Sequence, residues 1–167
     1  MIDADILAQA EAVLAACRAA GLKVTTAESC TGGLIAATLT AIAGSSDVVD
    51  RGFVTYSNEA KTDMLGVPAA LIASVGAVSE DVARRMAEGA LARSAADLAV
   101  AVTGVAGPGG GSAAKPVGLV WFGLAGRGDP TVALHHVFPG DRAAVRRQTV
   151  AEALRLLGER AGRRSSA

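Results

Sequence analysis

"DLAVAVTGVAG", residues 97–107, is a continuous apolar run of strand length that breaks into a glycine-rich loop. A strand of this kind offers no polar face to water, as expected at the centre of a sheet covered on both sides. Helices must then supply two covering layers. The flanking sequence provides them. Residues 3–20 place Ile6, Ala10, Val13, Leu14 and Cys17 at helical spacing, with Gly21 where a C-cap glycine would sit. "KVTTA" reads as a short strand, and "GGLIAATLTAIAG" as a helix closed by Gly44. "VVDRGFVTYS" is β-rich and ends at a polar corner. "NEAKTDMLGV" reads as a short helix with Asn58 as N-cap, stopped by Gly66 and Pro68. "SEDVARRMAEGALARSA" reads as a helix capped by Ser79, with two acids in its first turn.

Beyond the central strand, "LVWFGLAG" and "TVALHHVF" are joined by the turn-rich "RGDP", which predicts an antiparallel hairpin. A last helix spans about residues 141–160. Strands that alternate with helices and then give way to a hairpin predict an α/β fold. The expected form is a three-layer α/β/α sandwich around a mixed β-sheet. The 167 residues are expected to form one domain, 1–167, with its core at about 5–160.

The bulk properties narrow the function. Half of the residues are hydrophobic (51%) and the formal net charge is zero, so nothing overall favours nucleic acid or an anionic membrane as partner. From Asp141 onward seven arginines face three acids, which suits the dipole of a terminal helix. No apolar run reaches the ~18 residues of a membrane span. The opening "MIDADILAQAEAVL" carries acids where a signal peptide needs basic residues. A soluble, cytoplasmic protein is expected. Cys17 and Cys30 form no CxxC pair, and a reducing compartment would leave them as thiols.

Chemistry concentrates in "TTAESCTGG", residues 25–33, where a predicted strand turns into a helix. Free N–H groups of a first helical turn carry partial positive charge, and Gly32 and Gly33 would let a ligand approach them. An oxyanion or phosphate site is one reading, and a plain cap by Ser29 or Thr31 is the other. The pattern fits neither a nucleophile elbow nor a P-loop. A serine nucleophile needs a base. His135 and His136 are adjacent in a strand and point to opposite faces, without an evident acidic partner, so a histidine triad or metal site is not expected. "TYSNEAKTDML" offers Lys61 instead, at about the third position of a helix, where the dipole favours the neutral amine that a general base requires. An ordinary surface lysine is the alternative. Tyr56, the only tyrosine, suggests a Ser/Tyr/Lys constellation. Thr103 stands at the end of the central strand before "TGVAGPGGG", whose glycine spacing matches no dinucleotide fingerprint. Arg142 could bind a phosphate or pair with a surface acid. Cys30 rivals Ser29 as nucleophile, with burial as its default.

Five segments, "TTAESCTGG", "GFVTYSNEAKTDMLGV", "GAVSEDVARRMAEGA", "AVTGVAGPGGG…KPVGLVW" and "FPGDR", together resemble the CinA C-terminal domain, the family of nicotinamide-nucleotide amidases. The resemblance runs from about residue 5 to 160 and has no counterpart of the N-terminal domain of full-length CinA. It implies hydrolysis of nicotinamide mononucleotide to nicotinate mononucleotide and ammonia, in pyridine-nucleotide salvage, without metal or cofactor. It maps the family's catalytic serine, tyrosine and lysine onto Ser29, Tyr56 and Lys61. Backbone groups of Cys30, Thr31, Gly32 and Gly33 would receive the oxyanion. Asn58, Thr103, Gly104, Ala106, Gly107 and Arg142 would contact the nucleotide. Two departures are Ala143, where relatives commonly carry an acid, and the middle of "GGGSAAK", although Lys115 and Pro116 fit. The family, not the sequence pattern, suggests a homodimer. The rival functions are a non-catalytic nucleotide-binding module, a Tyr/Lys oxidoreductase and a cysteine amidase.

Overall fold

The computed structural model describes residues 2–166. Strands β1 (Val24–Glu28), β2 (Val49–Val54), β3 (Leu98–Gly104), β4 (Leu119–Gly126) and β5 (Asp129–Val137) form one mixed sheet in the order β2-β1-β3-β4-β5. β1 is parallel to β2 and β3, and β4 is antiparallel to β3 and β5. Helices α1 (Ala4–Ala20), α2 (Leu34–Thr40) and α6 (Arg142–Ser165) cover one face; α3 (Asn58–Leu65), α4 (Ala69–Val75) and α5 (Glu80–Ala92) cover the other. This is the expected three-layer sandwich.

The central strand keeps the two layers apart by side-chain size. Leu98, Val100 and Val102 join the core under α1, α2 and α6. Ala99 and Ala101 alternate with them and face α5. Small side chains on that second face let α5 approach closely. A Cβ on Gly123 of β4 would run into the Ala83 carbonyl, and one on Gly89 into the Leu65 carbonyl.

Several element boundaries differ from expectation. α2 stops at Thr40 instead of reaching Gly44. Thr38 and Thr40 bond back to the carbonyls of Leu34 and Ala36, and the last turn tightens around Ala41. Gly44, at φ +82°, opens a short 3₁₀ turn over Ser45–Asp47. Ser57, not Asn58, caps α3, because its hydroxyl accepts from Ala60 N at 3.0 Å while its backbone stays extended. α4, only seven residues between Pro68 and Gly76, has too little periodicity to stand out in sequence. α6 continues to Ser165, past the expected end near Arg160.

Parallel β1, β2 and β3 bring Glu28, Val54 and Gly104 to one edge of the sheet. The antiparallel hairpin returns the end of β5, and so the start of α6, to that same edge. Chain direction reverses sideways between β1 and β3, the switch point where open α/β sheets make their ligand crevice.

Candidate active site

Alternation along β1 decides which side chain meets which layer. Thr26 and Glu28 point towards α2, Ala27 packs on the α5 side, and Ser29 continues on that second side. Glu28 is buried and its carboxylate is fully engaged. Oε1 accepts from the Thr31 hydroxyl at 2.7 Å and Ile35 N at 2.8 Å; Oε2 accepts from the Thr26 hydroxyl at 3.2 Å and Ala36 N at 3.0 Å. A protein carboxylate thus holds the first turn of α2. The alternative cap by Ser29 or Thr31 is overturned, since Gly33 occupies the N-cap without a side-chain bond.

Between strand and helix the chain makes a tight turn. Gly32 and Gly33 sit at φ +59° and +99°, a left-handed pair that side chains resist. Gly32 N donates to Ser29 O at 3.0 Å. Among the described residues, no backbone carbonyl receives the N–H groups of Cys30, Thr31 or Gly33, and that of Cys30 meets only its own thiol. Thr31 is fully buried, which leaves Cys30 and Gly33 as the donors nearest the surface.

Lys61, the fourth residue of α3, is 1% exposed and lies with Nζ 3.0 Å from Ser29 Oγ. Nζ also donates to the carbonyl of Thr55 at 2.9 Å and faces those of Tyr56 and Ser57 at 3.4 Å each. Burial pulls the amine below its ordinary value of 10.5, partly offset by Cys30 and Glu59 nearby. A neutral amine has two N–H donors and one lone pair. Carbonyls only accept, so in the neutral form the two N–H groups would turn to them and the lone pair would be left for the one neighbour that can donate, the Ser29 hydroxyl. The arrangement is that of a nucleophile hydrogen-bonded to its base.

Cys30 points away from this pair into the core under α1 and α6, 7% exposed. Burial, aided by Glu28 and partly offset by its own backbone N–H, Arg146 and Lys61, pushes its thiol up to about 11, which disfavours the thiolate a cysteine nucleophile needs.

On the other side of the turn a cleft of about 650 Å³ opens between Ala106, Pro108 and the start of α6. Arg142 donates to the Gly107 carbonyl at 2.9 Å and to the Tyr56 hydroxyl at 3.1 Å. Arg146, one turn along α6, donates through Nε to Cys30 O at 3.2 Å and through Nη2 to Thr31 O at 3.0 Å. Among the described residues neither arginine has a carboxylate partner, whereas Arg18, Arg51, Arg84, Arg147, Arg155, Arg160 and Arg164 all do. Arg142 and Arg146 thus bring two guanidinium groups without an ion-pair partner to a cleft that Asp141 also lines, beside the turn that carries Ser29.

Over residues 7–161 the chain matches the model of the CinA C-terminal domain. The chain belongs to the CinA C-terminal domain family. It is 52% identical over 157 residues to the nicotinamide-nucleotide amidohydrolase PncC of Escherichia coli (strain K12), spanning 94% of this chain and 95% of that protein. With PncC of Enterobacter agglomerans the identity is 58% over 134 residues, 80% and 82% of the two chains. Among solved structures it resembles competence/damage inducible protein CihA from Agrobacterium tumefaciens at a TM-score of 0.91, with 52% identity over 94% and 96% of the chains. A CinA superfamily protein from Klebsiella pneumoniae follows at 0.90, with 41% identity over 95% and 98%.

In this CinA C-terminal domain, Ser29 and Lys61 meet as the sequence led us to expect. The Tyr56 side chain does not join them. It is 61% exposed and its hydroxyl lies against Arg142, so only its carbonyl faces Lys61. Asn58 is exposed at the start of α3. The Thr103 hydroxyl donates to Ala77 O at 2.9 Å, and Gly104 leaves no room for a Cβ beside the Leu119 carbonyl at 2.8 Å. Ala106 lines the cleft, and Gly107, at φ +83°, offers its carbonyl to Arg142. His135 stacks on Trp121 while His136 packs on Phe122 and Phe138. His136 does have an acidic partner, Glu152 at 3.0 Å, contrary to the sequence expectation; the two meet on the surface between β5 and α6.

Three residues at the site were missed in sequence. Glu28 stood in plain view as an acid in a buried strand, where a charge must find donors. Arg146 follows Arg142 by four residues on one helix, hence on one face. Thr55, fully buried with no partner for its hydroxyl among the described residues, has no sequence signal.

Proposed function

We propose that the protein hydrolyses the carboxamide of nicotinamide mononucleotide, giving nicotinate mononucleotide and ammonia. The observation that carries this reading is the buried lysine amine 3.0 Å from the Ser29 hydroxyl, at a turn with open backbone donors. Family membership directs it to the nicotinamide-nucleotide carboxamide named for the relatives.

Neutral Lys61 takes the proton of Ser29 as Oγ bonds to the carboxamide carbon. The carbonyl π pair moves onto oxygen, where N–H groups of the Cys30–Gly33 turn receive it. Loss of one such donor commonly costs ~10²–10³-fold in rate. As the tetrahedral intermediate collapses, the C–N bond breaks and the Lys61 ammonium passes its proton to the departing nitrogen, releasing ammonia. Water then attacks the acyl-serine and gives a proton to Lys61. The C–Oγ bond breaks, Lys61 returns the proton to Ser29, and the product leaves as a carboxylic acid that ionises by giving the remaining water proton to the released ammonia or to solvent. Atoms and charges balance without metal or organic cofactor, because nucleophile, base and donors all belong to the chain.

Arg142, Arg146 and the 104–107 loop hold the phosphate and ribose. Tyr56 contributes its carbonyl to the lysine cage and its exposed ring to the mouth of the site. This reading places the enzyme in the cytoplasm, in nucleotide salvage, and as a homodimer.

The test is ammonia release from nicotinamide mononucleotide by wild type, Ser29→Ala, Lys61→Ala and Cys30→Ala. Activity lost in the first two variants and kept in the third is expected. A silent wild type would point to a nucleotide-binding module. Loss at Cys30 alone would reassign the nucleophile.

A further inference from the structure

We propose that Arg146 is a positioning residue that ties the phosphate end of the substrate to the turn carrying Ser29, an inference that rests on the nucleotide reading above. The turn is soft by composition. Two consecutive left-handed glycines follow Thr31; Gly32 N to Ser29 O and Leu34 N to Thr31 O are the backbone bonds across it, and the Cys30 carbonyl receives no backbone donor among the described residues. Arg146 supplies what is missing by gripping the carbonyls of Cys30 and Thr31. Each peptide unit is planar, with its C=O and N–H pointing in opposite directions. Fixing those two carbonyls therefore fixes the Cys30–Thr31 and Thr31–Gly32 peptide planes with the Thr31 and Gly32 N–H groups they carry, and it restrains the flanking Cys30 and Gly33 donors through one φ/ψ pair on either side.

The same guanidinium faces the cleft. It carries five N–H donors, of which two hold the turn, and Nη1 makes no bond among the described residues. Arg146 lines the 650 Å³ cleft together with Arg142 and Asp141; the Asp141 carboxylate caps α6 through Ala144 N and makes no ion pair with either arginine among the described residues. A phosphate dianion seated there takes the free edge of the fork while the opposite edge holds the turn. Binding at the phosphate end then freezes the side chain that aims the donors. Phosphate is accordingly felt in kcat and not only in KM. A lysine at this position would keep the charge but lose the fork, so it could not serve both ends at once.

Kinetics of Arg146→Lys against wild type decide the matter, with nicotinamide mononucleotide, with nicotinamide riboside, and with riboside plus inorganic phosphite. Wild type is expected to gain several-fold in riboside kcat/KM on adding phosphite. The variant is expected to lose ~10²-fold in mononucleotide kcat, the scale of a misplaced reacting geometry, and to show no phosphite activation. A variant with kcat within about twofold of wild type and only KM raised would make Arg146 a simple binding group and overturn the proposal. Amide hydrogen exchange of residues 29–33 in wild type, with and without inorganic phosphate, gives a second readout that needs neither turnover nor a folded variant. Slower exchange across the turn supports the linkage and unchanged exchange overturns it. A wild type that releases no ammonia yet shows this protection would sink the amidase reading while leaving the linkage standing.

Discussion

Lys61 is costly to the fold at the place where the proposed reaction needs it. Its amine is buried among carbonyls and its pKa lies below the ordinary 10.5 because burial disfavours the ammonium. Folding therefore releases a proton in the window between the lowered folded value and 10.5. The unfolded chain binds more protons there, so stability rises with pH across that window. Below the folded value the penalty is present in full, and by 10.5 it has gone. Denaturant unfolding of wild type and Lys61→Met over that range should show a rising difference in favour of wild type; parallel curves would mean that the lysine is not shifted. Activity should follow the same titration, with kcat/KM rising as the amine deprotonates and its limb lying below that of a free lysine. Ser29 and Lys61 were both legible in sequence, since each stood at a helix opening among residues with other tasks. The Tyr56 hydroxyl was not. The Ser/Tyr/Lys constellation suggested in sequence would set the ring beside Lys61, but it leaves the turn on the solvent side and reaches Arg142 instead.

At the scale of elements, α2 depends on a side chain outside it. It has only seven residues, no side-chain N-cap of its own and a glycine pair before it, a poor helix in isolation. Glu28 compensates by placing a carboxylate against the N–H groups of Ile35 and Ala36. Glu28→Gln keeps the shape but presents an NH₂ group to donors that need an acceptor. We expect it to lose about 3 kcal/mol of stability, the scale for breaking charge-assisted bonds in a buried position, and to disorder the Ser29 turn with α2. A thermal midpoint within a degree of wild type would show that the carboxylate is dispensable. Strands and long helices were readable because their periods repeat: β4 was expected at its observed limits, and Gly21, Ser79 and Asp141 mark helix ends as their chemistry suggests. The end of α2 and the whole of α4 were not, because both depend on a few backbone bonds over two turns. The size alternation in β3 was also present in "LAVAV", where an apolar count alone hides which face takes the closer helix.

The whole molecule puts its chemistry at one edge because four separate connections end there. The turn after β1 gives Ser29 and its open N–H groups, α3 after β2 gives Lys61, the loop after β3 gives one wall, and α6 after β5 gives the arginines. No two of these are adjacent along the chain in the way that they meet in space. Arg142 is the cross-brace: through Gly107 and Tyr56 it links the start of α6 to the loops after β3 and β2. A ligand that binds the assembled edge and not the unfolded chain must stabilise the entire fold. Nicotinate mononucleotide at about 100 times its Kd should add about 2.7 kcal/mol, which for a chain of this length is a rise of roughly 5–10 °C in Tm. Arg142→Ala removes both a charge from the cleft and the brace between two loops, and should cut that rise to less than half at the same ligand concentration. Nicotinate riboside should give wild type no more than the variant retains. Equal shifts from nucleotide and nucleoside in wild type would mean that the arginine cleft does not read phosphate, and the paired guanidinium groups would then serve to hold the loops alone.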